Sequence, residues 1–264
     1  MSGDGSARPP LEPAIALFSG TTEGRAIAQH LARAGRRARV FVATEYGEDV
    51  MPELPGIEVH VGRLGVDAMR GQIEGASVVI DATHPFATEV SRTIREAAAS
   101  VDARYIRVIR PDEDLRGLGP EDVQVGSAQE AARILAGGEG RALVTTGSKE
   151  LGAFASVPGF AERVYARVLP VASVIDRCRE LGLPASHIIC MQGPFTRELN
   201  AAMLRQIGAR WLVTKESGRS GGFEEKIAAA RDVEARVIVV RRPVEREGGI
   251  TLAEALRLID TGKL

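Results

Sequence analysis

The residues of this chain best suited to chemistry lie in short glycine-containing segments, each following a β-branched run. The first is Ser19-Gly20-Thr21-Thr22-Glu23-Gly24-Arg25, between the run Ala14 to Ser19 and a stretch of helical period, Glu23 to Ala34. Glycines at 20 and 24 permit a tight turn and close backbone approach, Thr21 and Thr22 bring hydroxyls, and a helix opening there offers unpaired N–H groups to a phosphate. The segment departs from GxGxxG, which would need glycine at 22, and it lacks the Gly-Lys-Ser/Thr ending of a P-loop. Thr44-Glu45-Tyr46-Gly47 follows the second run, where a dinucleotide fold meets the adenosine ribose. Glu45 suits a 2′-hydroxyl, whereas Arg25 and the Arg63 of Gly62-Arg63-Leu64 offer the positive charge that a 2′-phosphate calls for. The fourth run ends in Asp81-Ala82-Thr83-His84-Pro85-Phe86-Ala87. Pro85 biases His84 toward extended backbone, which presents an imidazole that exchanges protons near neutral pH at the sheet edge. A purely structural histidine is the alternative.

Three further segments of this kind lie in the second half: Thr145-Thr146-Gly147-Ser148-Lys149, Met191-Gln192-Gly193-Pro194-Phe195, and Thr214-Lys215-Glu216-Ser217-Gly218 followed by Gly221-Gly222-Phe223-Glu224-Glu225-Lys226. Each joins glycine to hydrogen-bonding or cationic side chains just past a β-branched run, as an elongated polycarboxylate or a phosphate ligand would require. Ser148, Lys149, Gln192, Gly193, Lys215 and Ser217 are therefore the candidate substrate-binding residues.

Such segments need strands to carry them. Strand-like runs at Ala14 to Ser19, Arg39 to Ala43, Ile57 to Val61, Val78 to Asp81 and Tyr105 to Val108 alternate with Ala/Arg/Glu-rich stretches, the pattern of βα units and a parallel sheet. Ile27, Ala28 and Leu31 share one face of the first stretch, and Val90, Ile94 and Ala97 share one face of Thr88 to Ala99. A polar stretch from Pro111 to Gly119 interrupts the pattern and reads as an interdomain connection. It restarts with Arg141 to Thr145, Arg163 to Val168, His187 to Met191, Trp211 to Thr214 and Arg236 to Val240, separated by helical stretches such as Val171 to Leu181 and Thr196 to Ile207. The reading is an α/β protein with a tail at 1–13, a nucleotide-binding domain at 14–115 and a substrate domain at 116–264.

With 34 Lys and Arg against 35 Asp and Glu, the chain lacks the excess of positive charge that sequence-independent nucleic-acid binding uses. Any anion must be held by local clusters. Cys178 and Cys190 form neither a CxxC pair nor a set with histidine at metal-ligand spacing, so they read as ordinary thiols of a reducing compartment, the cytoplasm, and no metal site is expected. Met1 to Pro13 is polar and rich in Gly and Pro, unlike a signal sequence, and no apolar run approaches the roughly 20 residues of a membrane span. No amphipathic surplus demands a partner, which makes a monomer the default.

Taken in order, Gly20-Thr21-Thr22-Glu23-Gly24-Arg25, Gly62-Arg63-Leu64, Asp81-Ala82-Thr83-His84-Pro85-Phe86-Ala87, Thr146-Gly147-Ser148-Lys149, Gln192-Gly193-Pro194-Phe195 and Thr214-Lys215-Glu216-Ser217-Gly218 closely resemble the motifs of the precorrin-6A reductase family. The resemblance spans residues 15 to about 240, and the string from Asp81 to Ala87 is its most specific element; Ser19 stands where many members carry glycine. It implies two Rossmann-like domains with a cleft between them that holds a tetrapyrrole, and a nucleotide bound mainly by the first domain. It also implies reduction by NADPH of one double bond of precorrin-6A to give precorrin-6B in cobalamin biosynthesis, with the metal-free or the cobalt-bearing macrocycle as substrate. Under that reading Gly20, Thr21, Thr22, Glu23, Gly24, Arg25, Thr44, Arg63, Thr83 and His84 face the cofactor. Lys149 and Lys215 grip carboxylates of the macrocycle, and His84, Lys215 or water supplies the proton. Two rivals differ in class. A carbonyl-reducing dehydrogenase would carry Tyr-x-x-x-Lys, but Tyr46, Tyr105 and Tyr165 are followed at that spacing by Val50, Ile109 and Leu169. A nucleotide sensor would bind NADPH without oxidising it.

Overall fold

Parallel strands need burial on both faces and a crossover segment between neighbours, and β-branched runs alternating with amphipathic Ala-rich stretches supply both. In the computed structural model, which describes residues 14–43, 51–110, 118–217, 221–243 and 248–264, the chain divides into two compact units. One comprises Met1–Asp112 with Val244–Leu264 and the other Glu113–Pro243.

The first unit runs β1 (Ala14–Phe18), α1 (Thr22–Arg33), β2 (Ala38–Val42), β3 (Ile57–Val61), α2 (Val66–Ile73), β4 (Ala76–Asp81), α3 (Thr88–Ser100) and β5 (Arg104–Arg107). Its five strands are all parallel in the order β3-β2-β1-β4-β5, the Rossmann arrangement in which strand order reverses between β1 and β4. Alternation along β1 builds both cores. Ile15 and Leu17 pack with Ile27 and Leu31 of α1, whereas Ala16 and Phe18 pack with Met69 and Ile73 of α2 and Ile94 of α3.

The second unit contains β6 (Val123–Val125), α4 (Ala128–Gly137), β7 (Arg141–Val144), α5 (Ser148–Leu151), α6 (Phe160–Arg163), β8 (Val164–Val168), α7 (Ala172–Glu180), β9 (Ile188–Cys190), α8 (Arg197–Ile207), β10 (Ala209–Lys215), α9 (Phe223–Asp232) and β11 (Arg236–Val240). Its sheet is again parallel, ordered β6-β11-β10-β7-β8-β9. Here the order reverses between β7 and β10.

The expected domain bounds need one correction. The sequence pattern groups the terminal helix α10 (Leu252–Asp260) with 116–264, yet Ala255 and Ile259 are buried in the core that contains Ile15 and Leu31. His30 of α1 and Asp260 meet at 2.6 Å, and Ile250 pairs with Val108 beside β5. An amphipathic helix goes where its apolar stripe can be covered, and α1 left such a surface. Val90 is a second correction: it is 43% exposed while Ile94 and Ala97 are buried, because the buried face of α3 begins a turn later. The short strand β6, with three residues, was not legible as a run. The proposed tail, Thr44, Glu45, Gly218 and most of the Pro111 to Gly119 connection lie outside the described residues. Cys178 and Cys190 are free thiols, and among the described residues no helix is long and apolar enough to cross a membrane.

Candidate functional site

In open parallel sheets the loops beyond the carboxyl ends of the strands converge where strand order reverses. In the first unit those loops follow β1 and β4, and they are tied together. Thr21 caps α1 by accepting from the Gly24 N–H at 3.2 Å, and its hydroxyl donates to the Ala82 carbonyl at 2.8 Å. The sequence reading offered Thr21 as a phosphate donor. Its single O–H is already committed to the neighbouring loop, so its role there is to shape the turn. Gly20 adopts φ +141 with nothing within 4 Å of an added Cβ, while a Cβ on Gly24 would lie 2.3 Å from Ser19 Oγ. The first glycine thus keeps open space above the turn, and the second lets α1 approach β1 closely. Ser19 is buried, and its Oγ has no hydrogen-bond partner among the described residues.

Glu23, in the first turn of α1, accepts from both Arg110 Nε and Arg110 Nη2 at 2.7 Å. Burial pushes its carboxyl up, but the Arg110 hydrogen bonds and charge outweigh that and hold it below the ordinary glutamate value. Arg110 was not singled out from the sequence. Thr22 is exposed and donates to Glu23 Oε2 at 3.3 Å. Arg25 is partly buried along α1, and Arg63 is exposed at the exit of β3, the edge strand two places from β1.

The loop after β4 rests on a buried network. Asp81 is fully buried; its Oδ1 accepts from Arg107 Nη1 at 2.9 Å, from the Thr83 hydroxyl at 2.6 Å and from the Thr83 N–H at 3.0 Å, and its Oδ2 accepts from the Tyr105 hydroxyl at 2.8 Å. Burial and the adjacent carboxylate hold the Tyr105 hydroxyl protonated far above its usual range. Thr83 is therefore an internal strut, its hydroxyl taken up by Asp81. His84 projects beyond this network as an exposed side chain whose Nδ1 accepts from the Phe86 N–H at 3.3 Å. The structure brings Gly20, Thr21, Gly24, Thr83 and His84 onto two adjoining loops.

In the second unit the loops after β7 and β10 flank the reversal of strand order. Lys215, at the end of β10, pairs with Glu150 of α5 at 2.8 Å, so it sits beside Ser148 and Lys149 with its charge already matched. Lys149 is exposed, and the Oγ1 of buried Thr146 has no hydrogen-bond partner among the described residues. Glu216 anchors the start of the next loop: it accepts from Arg241 Nε at 2.8 Å, Arg242 Nε at 2.9 Å and the Arg242 N–H at 3.2 Å. Ser217 donates to the Gly221 carbonyl at 3.3 Å. Gln192 and Gly193 are exposed after β9, and Gly193 precedes a cis Pro194. An added Cβ on Gly222 would lie 3.6 Å from Pro194 Cβ and 3.7 Å from the Phe195 carbonyl oxygen, so the start of α9 lies close to the segment after β9.

The networks of Asp81, Glu23 and Glu216 were missed from sequence. The available signal was a charge inside a β-branched run, such as Asp81 after Val78-Val79-Ile80 or Arg107 after Ile106, since a buried charge requires a partner. Strand order, parallel register and the glycine turn after β1 together define a two-domain Rossmann-like α/β protein. Comparison with known proteins narrows this class. The family model described as precorrin-6x reductase CbiJ/CobK matches residues 14–260, and the chain belongs to that family. It is 35% identical to a cobalt-precorrin-6A reductase of Priestia megaterium over 233 residues, 87% of this chain and 90% of that one. A precorrin-6A reductase of a Sinorhizobium species is 31% identical over 234 residues, 88% of this chain and 85% of that one. A solved structure described as CobK precorrin-6A reductase superposes with a TM-score of 0.72 at 25% identity, covering 95% of this chain and 97% of that one.

Proposed function

We propose that this chain uses NADPH to reduce one double bond of the precorrin-6A macrocycle, metal-free or cobalt-bearing, to precorrin-6B. The family supports the substrate, and the turn after β1 supports the cofactor. A pyrophosphate needs donors and room, and this turn offers first-turn N–H groups of α1 other than that of Gly24, which Thr21 takes, together with the Ser19 hydroxyl and the open space above Gly20. That turn is the observation that carries the proposal. Gly20, Thr22, Gly24 and Arg25 would hold the dinucleotide, Thr21, Glu23 and Thr83 would shape its seat, and Arg63 would lie toward the adenosine.

When bound, the nicotinamide supplies hydride to a carbon of the conjugated macrocycle. The chain itself contributes position, charge and a proton path. Ser148, Lys149, Gln192, Gly193, Lys215 and Ser217 would contact the tetrapyrrole. His84 stands exposed on a loop fixed from below by Asp81, which suits a proton donor. Lys215 is the second candidate donor, held by Glu150.

The test supplies purified chain with NADPH and the macrocycle and follows the near-ultraviolet absorbance of the reduced nicotinamide. Macrocycle-dependent oxidation is expected, together with its loss in Gly20→Val, whose side chain would fill the open space above the turn. Binding of both ligands without oxidation would favour the sensor reading and overturn the proposal.

A further inference from the structure

Five charged residues are buried among the described residues: Asp81, Arg107, Arg167, Glu216 and Lys226. Three of them have opposite charges at contact distance, Asp81 with Arg107 and Glu216 with Arg241 and Arg242. The other two are both cations, lie in the same unit and have no carboxylate within ion-pair distance among the described residues. Arg167, near the end of β8, is 6% exposed; its Nη1 donates to Asn200 Oδ1 at 2.7 Å and approaches Met203 Sδ at 3.6 Å, and its guanidinium lies 4.2 Å from the Phe195 ring centre. Lys226 of α9 is 8% exposed; its Nζ donates to the Gly221 carbonyl at 2.8 Å and reaches Ser217 Oγ at 3.5 Å. Burial and the charge of Arg167 together pull Lys226 down to about 8, against a smaller upward pull from Glu225, and burial pulls Arg167 down to about 10.

Such an arrangement is costly unless something completes it. Buried charges are ordinarily paired, yet Lys226 is pulled down by the like charge of Arg167 and neither cation has a carboxylate at ion-pair distance among the described residues. Both cations are held beside the glycine-containing segments: Arg167 stacks on Phe195 after β9, Lys226 donates to the Gly221 carbonyl just ahead of α9, and Gly222 lies close to Pro194 and Phe195. We propose that Arg167 and Lys226 form a carboxylate-binding subsite at the carboxyl edge of the second sheet, taking one acidic side arm of the macrocycle. The inference rests on the reductase reading for the identity of its ligand. It shifts the main substrate charge contact away from Lys215, which Glu150 already neutralises.

The test measures the dissociation constants of the macrocycle and of NADPH, with kcat and KM, in the full-length wild type, Lys226→Gln, Lys226→Arg and Arg167→Gln. Gln at 226 can still donate to the Gly221 carbonyl, so it removes charge while keeping that hydrogen bond. A charge-assisted hydrogen bond lost from the macrocycle corresponds to weakening of about tenfold or more. The expected result is that weakening in Lys226→Gln and Arg167→Gln, unchanged NADPH affinity, kcat within about threefold at saturation, and recovery in Lys226→Arg. Wild-type affinity for the macrocycle in both Gln variants would overturn the subsite while leaving the reductase reading intact. Loss of NADPH affinity instead would assign the two cations to a nucleotide phosphate and equally overturn it. Failure of the wild type to bind any tetrapyrrole would overturn the reading beneath it.

Discussion

Replacing Arg110 with glutamine tests how the turn after β1 tolerates a carboxylate. Glu23 lies in the first turn of α1, the positive end of the helix dipole and the proposed seat of an anion. Two hydrogen bonds at 2.7 Å from Arg110 cancel its charge, and both side chains are less than a fifth exposed. An anion held by the first-turn N–H groups lies within about 8 Å of that carboxylate, one and a half helical pitches. At an effective dielectric near 20, like charges about 8 Å apart repel by ~2 kcal/mol. That corresponds to roughly 30-fold in a dissociation constant. The stranded carboxylate also loses charge-assisted hydrogen bonds, so the fold should weaken by ~2 kcal/mol. Calorimetric titration with NADPH should therefore show Arg110→Gln binding about 30-fold more weakly, with most of the loss screened at high salt. The double variant Glu23→Gln with Arg110→Gln should bind within a few fold of wild type, because neither charge remains. Wild-type affinity in Arg110→Gln, or no recovery in the double variant, would refute the argument.

Asp81→Asn should destabilise the first unit by about 3 to 5 kcal/mol, since it leaves the Arg107 guanidinium buried without its counter-charge; calorimetric melting with an unchanged midpoint would contradict this. Gly24→Ala should abolish tight NADPH binding, because its Cβ would lie 2.3 Å from Ser19 Oγ and 3.0 Å from Ser19 Cα, and Ser19→Ala should restore binding only in part because the backbone contact persists. Acid sensitivity has a definite sign. Glu23 and Glu216 are both held below the ordinary value of 4.5, burial raising each and arginine partners lowering it further. Each therefore adds stability that is present above about 4.5 and lost as pH falls through the lower folded value. Glu216→Gln should flatten the fall in melting temperature below that pH, and a variant as acid-sensitive as wild type would count against the assignment.

How much of this was readable from residues alone depends on the range of the interaction. Strand and helix positions follow from periodicity, and most observed strands fall within a residue or two of the β-branched runs, because burial on both faces demands such residues. The glycine turn was legible because Gly20 and Gly24 meet a local demand for space. Pairs such as Glu23 with Arg110, or Glu216 with Arg241 and Arg242, join residues far apart in sequence, and nothing local distinguishes those arginines from surface ones. Helix α10 was misassigned for the same reason. Its stripe of apolar residues specifies that it must be covered, not by what.

The two units differ in how they treat charge, and the difference bears on what each can hold. Around the first glycine turn the carboxylates of Glu23 and Asp81 are each neutralised by an arginine, and the groups left to meet an anion there are chiefly backbone N–H and hydroxyl. Dipoles of that kind suit a pyrophosphate, whose several oxygens can be shared among many weak donors. The second unit instead retains buried cationic charge at Arg167 and Lys226, each hydrogen-bonded to a neutral oxygen and with no carboxylate at ion-pair distance among the described residues. A point cation in a poorly solvated setting gains most from a single compact carboxylate at contact distance. If the macrocycle is a polycarboxylate and the reductant a dinucleotide, each unit then has the electrostatics its own ligand needs. Exchanging Lys226 for a neutral residue should consequently alter macrocycle affinity and spare that of the nucleotide.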